Sequence, residues 1–272
     1  MSDAAPLITF LSDYGHGDEF VGVCHAVIAR RTPRARIIDL GHGVARHDIR
    51  AGALALRAAL PYTPPGVHLA VVDPGVGGPR RAVALRLQHE GRTMVGPDNG
   101  LLTLAAQTLG GVLEAVDIAN SPEALQPRSA TFDGRDLFAP VAAALADGAP
   151  LDALGEPIDP ATLAALALPQ PSISDGALRA HALSIDSFGN VSLDATAELA
   201  EHAGLVLGGG LRVQAAGDSR PALLARAFGD VAVGELLVYV DSRGALALAI
   251  NGGSAALSLG LAPDDEVVLR RP

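Results

Sequence analysis

No tryptophan occurs in this chain of 272 residues, and cysteine appears once, at Cys24. A lone cysteine excludes an internal disulfide and fits a reducing, cytoplasmic setting. It lies in the apolar run "FVGVCHAVIA", which reads as packing rather than chemistry. Basic residues are also short: 20 Lys and Arg face 30 Asp and Glu, for a net charge of −10. Clusters such as Arg80-Arg81 are only pairs, so the basic footprint of a nucleic-acid binder is missing. Turn or charged residues interrupt every apolar run before it reaches bilayer length, so no membrane partner is expected. "MSDAAPLITF" has neither a basic n-region nor a long apolar h-region, so no secretory signal is expected. The eight histidines give no zincin-like helical pair, and no metal is expected.

What is present is apolar. Hydrophobic residues make up 49% against 18% charged, enough to build a sizeable core and to argue against disorder. The length allows one large or two ordinary domains. The first half alternates strand and helix patterns. "LITFLSDYG" reads as a buried strand ending at Asp13, followed by a helix in "EFVGVCHAVIARR". "ARIIDLGHG" is a second strand, ending at Asp39, with a helix in "DIRAGALALRAAL". "GVHLAVVDPGVG" is a third, ending at Asp73. "RAVALRLQHEGRTMVGPDNG" reads as two strands joined near Glu90-Gly91, then a helix in "LLTLAAQTL". "VLEAVDI" and "RDLFAPVAAALADG" add another strand and helix. Such alternation implies a mainly parallel sheet covered on both faces.

From about Ala149 to Pro171 the prolines and "LGEPIDPATL" mark a linker or crossing segment. The remainder carries strand signals in "LRAHALSID", "GNVSLDA", "GLRVQAA", "ELLVYVDSRGALALAIN" and "DEVVLRRP", with "DSRG" as a hairpin turn. A small β-rich barrel or sandwich is expected there.

Four acids, Asp13, Asp39, Asp73 and Asp98, fall at or just past predicted strand ends, where open α/β sheets bind ligands. One such Asp is usually a turn or cap residue, but four together suggest a polar site. Carboxylates there suit a ribose diol, which donates two hydroxyl hydrogen bonds. A Mg²⁺ site fits less well, because no phosphate loop accompanies the acids. "IIDLGHG" resembles the strand-glycine signature of Rossmann-type methyltransferases, but it sits on the second strand and the downstream half is β-rich. In "ATFDGRDLFAP", Asp133 and Asp136 open a helix. They are either caps, in the manner of a capping box, or chemistry.

The segments "FLSDYG", "VVDPGVGGPRR", "GPDNGLL", "SATFDGRDLFAP", "IDSFGNV" and "INGGSAA" follow one another over nearly the whole chain. In that order they resemble the S-adenosylmethionine hydroxide adenosyltransferases, or SAM hydrolases, which are related to fluorinating and chlorinating enzymes. The resemblance implies an N-terminal mainly parallel α/β sandwich domain, residues 1–170, and a smaller C-terminal β-barrel domain, residues 171–272. It also implies a homotrimer with sites at subunit interfaces. The implied reaction needs no cofactor: water displaces methionine at C5′ of S-adenosylmethionine, giving adenosine and methionine.

By the same resemblance, Asp13 holds the ribose hydroxyls, and Phe188, Asn190 and Phe228 contact adenine. Each Phe also reads as possible barrel core. Asp186, Ser242 and Arg243 correspond to the grip on the methionine amino and carboxylate groups, and Gly252 to the adenine edge. Phe132 and Tyr239 are further substrate-binding positions. His47 is either a lid or a solvent-facing loop residue. Water-using members carry an Asp-Arg-His set. Asp73 and Arg80 match its first two members, but this chain has "TFDGRD" where the family has "TFHGRD", so Asp133 stands in the histidine position. Halogenating relatives have an aromatic in place of Asp73, and fluorinating ones a longer insert near His89. The chain has neither, which favours water. A halide-dependent, chlorinase-like transferase and a S-adenosylmethionine or adenosine binder without turnover are the alternatives.

Overall fold

The computed structural model describes residues 5–272. The chain divides into two compact units, the first ending at Leu166 and the second beginning at Ala167. The first unit contains strands β1 (Leu7–Ser12), β2 (Arg36–Gly41), β3 (Val67–Val71), β4 (Ala82–Leu87), β5 (Thr93–Pro97), β6 (Val112–Asp117) and β7 (Glu156–Ile158). Its helices are α1 (Phe20–Arg31), α2 (Ile49–Ala59), α3 (Thr103–Thr108) and α4 (Ala139–Ala146). The strands lie in the order β2-β1-β3-β5-β4-β6-β7. The pairs from β2 to β5 are parallel, and those from β5 to β7 antiparallel.

The sheet is covered on both faces, which explains why its central strands read as unbroken apolar runs. Ile8 and Phe10 of β1, with Val67, Leu69 and Val71 of β3, pack with Cys24 and Ile28 of α1 and the apolar face of α4. Alternate residues point to the other face, where an added Cβ on Gly52 of α2 would strike Val72 and Leu101. Ala139 to Ala144 are all buried. A helix buried all round needs small residues to approach the sheet closely, and α4 is mostly alanine. Asp48 starts α2 by accepting a hydrogen bond from Ala51 N at 2.8 Å. At the β4–β5 hairpin Glu90 and Gly91 both have positive φ, 56° and 61°, as a tight primed turn demands.

The second unit has strands β8 (Ser172–Ser174), β9 (Ala177–Ile185), β10 (Val191–Thr196), β11 (Gly210–Ala215), β12 (Asp218–Leu224), β13 (Leu236–Val240), β14 (Ala245–Ile250) and β15 (Glu266–Arg270). Helices α5 (Ala197–His202) and α6 (Ala255–Leu259) complete it. The order β10-β14-β13-β12-β11-β15-β9 closes through a β9–β10 pairing, giving a seven-stranded barrel with β8 appended to β9. Inward Leu178, Leu193, Val213, Val238, Leu248 and Leu269 fill it, so interior residues alternate with exterior ones along each strand. The "DSRG" segment joins β13 to β14 as an antiparallel hairpin. Among the described residues, no helix is long and apolar enough to cross a membrane.

Two of the four strand-end acids take other places. Asp39 lies inside β2, which runs on to Gly41. Asp98 follows β5, but its carboxylate accepts from Arg81 Nε and from Ala164 N, both at 2.8 Å, and so fastens a loop.

His68 on β3 is fully buried and hydrogen-bonds Thr9 Oγ1 through Nδ1 at 2.9 Å. Burial, aided by the Arg92 guanidinium, pulls its pKa down to about 3. The unfolded chain takes up this proton below about pH 6.5, whereas the folded protein refuses it until far lower pH, so stability falls as pH drops through that window. Urea unfolding between pH 7 and pH 4 is expected to show this decline. His68→Gln is expected to flatten the slope while lowering stability at pH 7; an unchanged slope would assign the decline to other groups.

Candidate active site

The site grows from two loops at the carboxyl edge of the parallel strands. β3 delivers Asp73, and the chain then turns through "PGVGG". Val76 N donates to the Asp73 carbonyl at 3.3 Å and Gly78 N to the Gly75 carbonyl at 2.9 Å, folding the loop back on itself. Gly77 has φ +74°, and a Cβ there would lie 2.4 Å from the Ala130 carbonyl oxygen. Only glycine permits both the conformation and the approach. That approach brings the Asp73–Arg80 loop against the segment carrying Asp133.

The second loop enters a π-helical turn, Gly134–Phe138, which leads into α4. Such turns recur at functional sites because they shift side chains out of helical register. Gly134 is held against Tyr14: a Cβ there would fall 2.0 Å from the phenol oxygen. The capping reading of Asp133 and Asp136 does not hold. Asp133 precedes the turn but caps no backbone amide with its side chain. Asp136 accepts from Ser129 N at 2.8 Å and pairs with Arg135 at 2.6 Å, tying down the loop before the turn. Burial pushes the Asp136 carboxyl up, but Arg135 and Ser129 N outweigh it and hold it below the usual carboxylate range.

Arg80 joins the two loops. Its Nε donates to the Asp73 oxygens at 3.0 and 3.1 Å, and its Nη2 reaches Asp73 Oδ2 and Asp133 Oδ2, both at 2.5 Å. The two carboxylates are 6% and 3% exposed, so their charge is withdrawn from water and requires a partner. Burial disfavours the Arg80 cation, but the hydrogen bonds it donates to Asp73 and Asp133 more than compensate and raise its pKa. The Phe138 ring lies 5.5 Å from the guanidinium carbon. The other Asp133 oxygen, Oδ1, accepts from Arg128 Nε at 3.0 Å and Nη2 at 2.7 Å. The result is a quartet of two buried aspartates and two arginines with no net formal charge. Arg128 was not legible as a site residue; its only signal was a place five residues before Asp133.

Asp73 and Asp133 face a cavity of about 550 Å³ that is also lined by Asp13, Tyr14, His47 and Phe132. Asp13 follows β1, and its Oδ2 accepts from His47 N at 2.9 Å. His47 has φ +67°, and its side chain is exposed, so its backbone, rather than its ring, meets the site acid. Phe132 packs edge-on against Tyr14 and Phe20, with ring centroids 5.8 and 5.2 Å away. Burial raises the Tyr14 phenol well above its ordinary pKa, helped by Cys24, Asp13, Asp73 and Asp133, so it is a neutral hydrogen-bonding group.

The remaining predicted residues gather in the barrel unit around a second cavity of about 700 Å³, lined by Asp186, Phe188, Asn190, Phe228, Tyr239, Ser242, Arg243 and Gly252. Asp186 closes the β9–β10 turn. Its Oδ1 accepts from Phe188 N and Asn190 N at 2.9 Å, and its Oδ2 from Asn190 Nδ2 at 2.8 Å. This fixes the Asn190 amide with its oxygen available as an acceptor. The core reading of the phenylalanines fails: Phe188 is 78% and Phe228 43% exposed. Tyr239 supports Phe228 at a centroid distance of 5.1 Å. Asp241, which sequence reasoning missed, shapes the turn carrying Ser242 and Arg243. It accepts from Arg243 N at 2.8 Å, Ala245 N at 3.1 Å and Ser192 Oγ at 3.0 Å.

Family models match both parts of the chain. The SAM hydroxide adenosyltransferase N-terminal domain matches residues 8–155, and the C-terminal domain of the same family matches residues 180–268. An (R)-S-adenosyl-L-methionine hydrolase from Salinispora tropica is 50% identical over 262 residues, covering 96% of this chain and 97% of that protein. A namesake from Thermus thermophilus is 42% identical, covering 93% of this chain and 95% of its own. A fluorinase from an Actinoplanes species is more distant at 29% identity, with 94% of each chain covered. The crystal structure of an uncharacterized conserved protein from Thermotoga maritima matches with a TM-score of 0.90 at 38% identity, over 97% of this chain and 100% of that one. The chain belongs to the SAM hydroxide adenosyltransferase family.

Proposed function

We propose that this protein hydrolyses S-adenosyl-L-methionine to adenosine and L-methionine. The observation that carries the reading is the Asp73–Arg80–Asp133 set at a cavity that also holds Asp13. Water oxygen bonds to C5′, the C5′–S bond breaks with its electron pair going to sulfur, and the water gives up one proton. The sulfonium departs as a neutral thioether, so positioning of water and substrate supplies much of the acceleration. Asp73, held in place by Arg80, orients the water, and Asp133 accepts its proton. Each carboxylate oxygen has two lone pairs, so Asp133 keeps acceptor capacity beyond its arginine contacts. Arg128 is a positioning residue that balances the aspartate standing in the family's histidine position.

Asp13 serves the ribose diol, Phe132 flanks it, and the His47 segment borders the cavity through its contact with Asp13. In the barrel, Phe188 and Phe228 stack on adenine, while Asn190 and Gly252 read its edge. Arg243 and Ser242 take the methionine carboxylate, Asp186 takes its ammonium, and Tyr239 supports the pocket. The N-terminal cavity holds the groups for water and ribose, and the barrel cavity those for adenine and methionine. This complementarity supports a homotrimer in which a neighbour's barrel completes each site. The free, buried Cys24 supports a cytoplasmic setting.

Incubation with S-adenosylmethionine in ¹⁸O-water is expected to give adenosine labelled at the 5′ oxygen, independent of chloride. A 5′-chloro product would move the protein to the halogenating branch, and intact S-adenosylmethionine beside bound adenosine would make it a binder. Asp133→Asn is expected to lower kcat by roughly 10²-fold or more, the scale of a lost general base; near-normal turnover would remove Asp133 from the proton path. Arg128 does not line the cavity, so Arg128→Met is expected to lower kcat by about 10-fold, through misplacement of Asp133, with little change in KM. A rise in KM with kcat preserved would assign Arg128 to substrate binding instead.

A further inference from the structure

A second polar cluster, outside the lining of the N-terminal cavity, is formed by His25 on α1, Asp39 on β2 and His42 just beyond β2. Residues three apart on a regular strand point to opposite faces. Here the β1–β2 register slips by one residue, pairing Phe10 with Asp39 but Leu11 with Gly41. The bulge turns Asp39 and His42 to the same side. Asp39 Oδ1 then lies 2.9 Å from His25 Nε2 and 3.0 Å from His42 Nε2. The three ligand atoms all fall within 4.8 Å of one another.

We propose that His25, Asp39 and His42 bind one divalent transition-metal ion of the zinc class. Zn²⁺ takes imidazole nitrogen and carboxylate oxygen at about 2.0–2.2 Å, so neighbouring donor atoms around one ion lie roughly 3 Å apart. His42 supplies the second observation. Its side chain is 1% exposed, and its Nε2 is buried with no hydrogen-bond partner among the described residues, although Asp39 Oδ1 is within 3.0 Å. The other His42 nitrogen, Nδ1, is fixed on Ser12 Oγ at 2.7 Å, the kind of outer contact that sets ring orientation in metal sites. His25 and Asp39 are 32% and 40% exposed, which provides the entry path and room for water ligands. Two neutral imidazoles and one carboxylate carry a single negative charge, and their nitrogen donors favour Zn²⁺ or Co²⁺ over Mg²⁺ or Ca²⁺.

The ion is structural in this arrangement. None of its three ligands lines the N-terminal cavity, so it takes no part in the displacement at C5′. It joins α1 to the end of β2, and Gly15 N donates to the His42 carbonyl at 2.7 Å, so the loop after Asp13 hangs from the same residue. Occupancy therefore steadies the loop that the proposed function assigns to ribose binding, through the Gly15–His42 hydrogen bond.

The test uses full-length, tag-free protein stripped with chelator and titrated with Co²⁺ and then Zn²⁺, followed by calorimetry and visible absorption. One Co²⁺ per chain is expected, with a d–d band displaced by Zn²⁺, and Zn²⁺ is expected to raise the unfolding midpoint. His25→Gln and Asp39→Asn are expected to weaken binding by more than the roughly 10–100-fold that loss of an outer contact costs, and to abolish the thermal shift. His25 is a partly exposed helix residue, so its variant is expected to fold. No stoichiometric binding by the parent protein would overturn the proposal. Binding and thermal shift unchanged in both variants would overturn it too, by placing the ion on other histidines.

Discussion

The first unit depends on a buried charge that cannot stand alone. Arg80 and two carboxylates, each almost out of water, are tolerable only together, because removing one member of a buried ion set leaves the others desolvated and unpaired. This requirement reaches into the backbone. The Asp73–Arg80 loop must cross close to the Ala130 carbonyl, which fixes a glycine at position 77. The segment after Ala130 must present Asp133 rather than continue as ordinary helix, and a π-helical turn meets that need. The packing of α4 follows, since the turn runs directly into it.

The fold was largely legible because its signals are local. Apolar runs of strand length, the Glu90-Gly91 and "DSRG" turns and the glycine-rich loop after Asp73 each act within a few residues. Asp73 was legible as a strand-end acid for the same reason, whereas Arg80 was singled out only through the resemblance. Asp133 lies 53 residues from Arg80, and only resemblance brought it to the site. Arg128 had no such help, because a surface arginine and one that clamps a buried carboxylate look the same in sequence. The His25–Asp39–His42 cluster was hidden by a one-residue slip between two strands, which no periodicity reveals. Asp98 failed in the other direction: a strand-end acid that looked functional proved to hold a loop.

Aspartate is not a neutral exchange for histidine at position 133. A histidine there would bring at most one positive charge and a proton poised near neutrality, whereas aspartate brings a second negative charge beside Asp73. Arg128 answers it with two donors on one oxygen while Arg80 holds the other. The carboxylate is thus fixed in plane and direction by guanidinium forks, the geometry such pairs prefer.

The closed barrel has a consequence for how this protein diversifies. Seven strands returning on themselves set their own register through the inward side chains and leave the ring no open edge. The connections on its rim are therefore free of any duty to hold the scaffold together. The β9–β10 and β13–β14 turns, each organised by its own aspartate, act as self-contained cassettes. Either can change length or sequence while the strands beneath keep their alignment, so the lining of the cavity at the rim can be rewritten without refolding the domain.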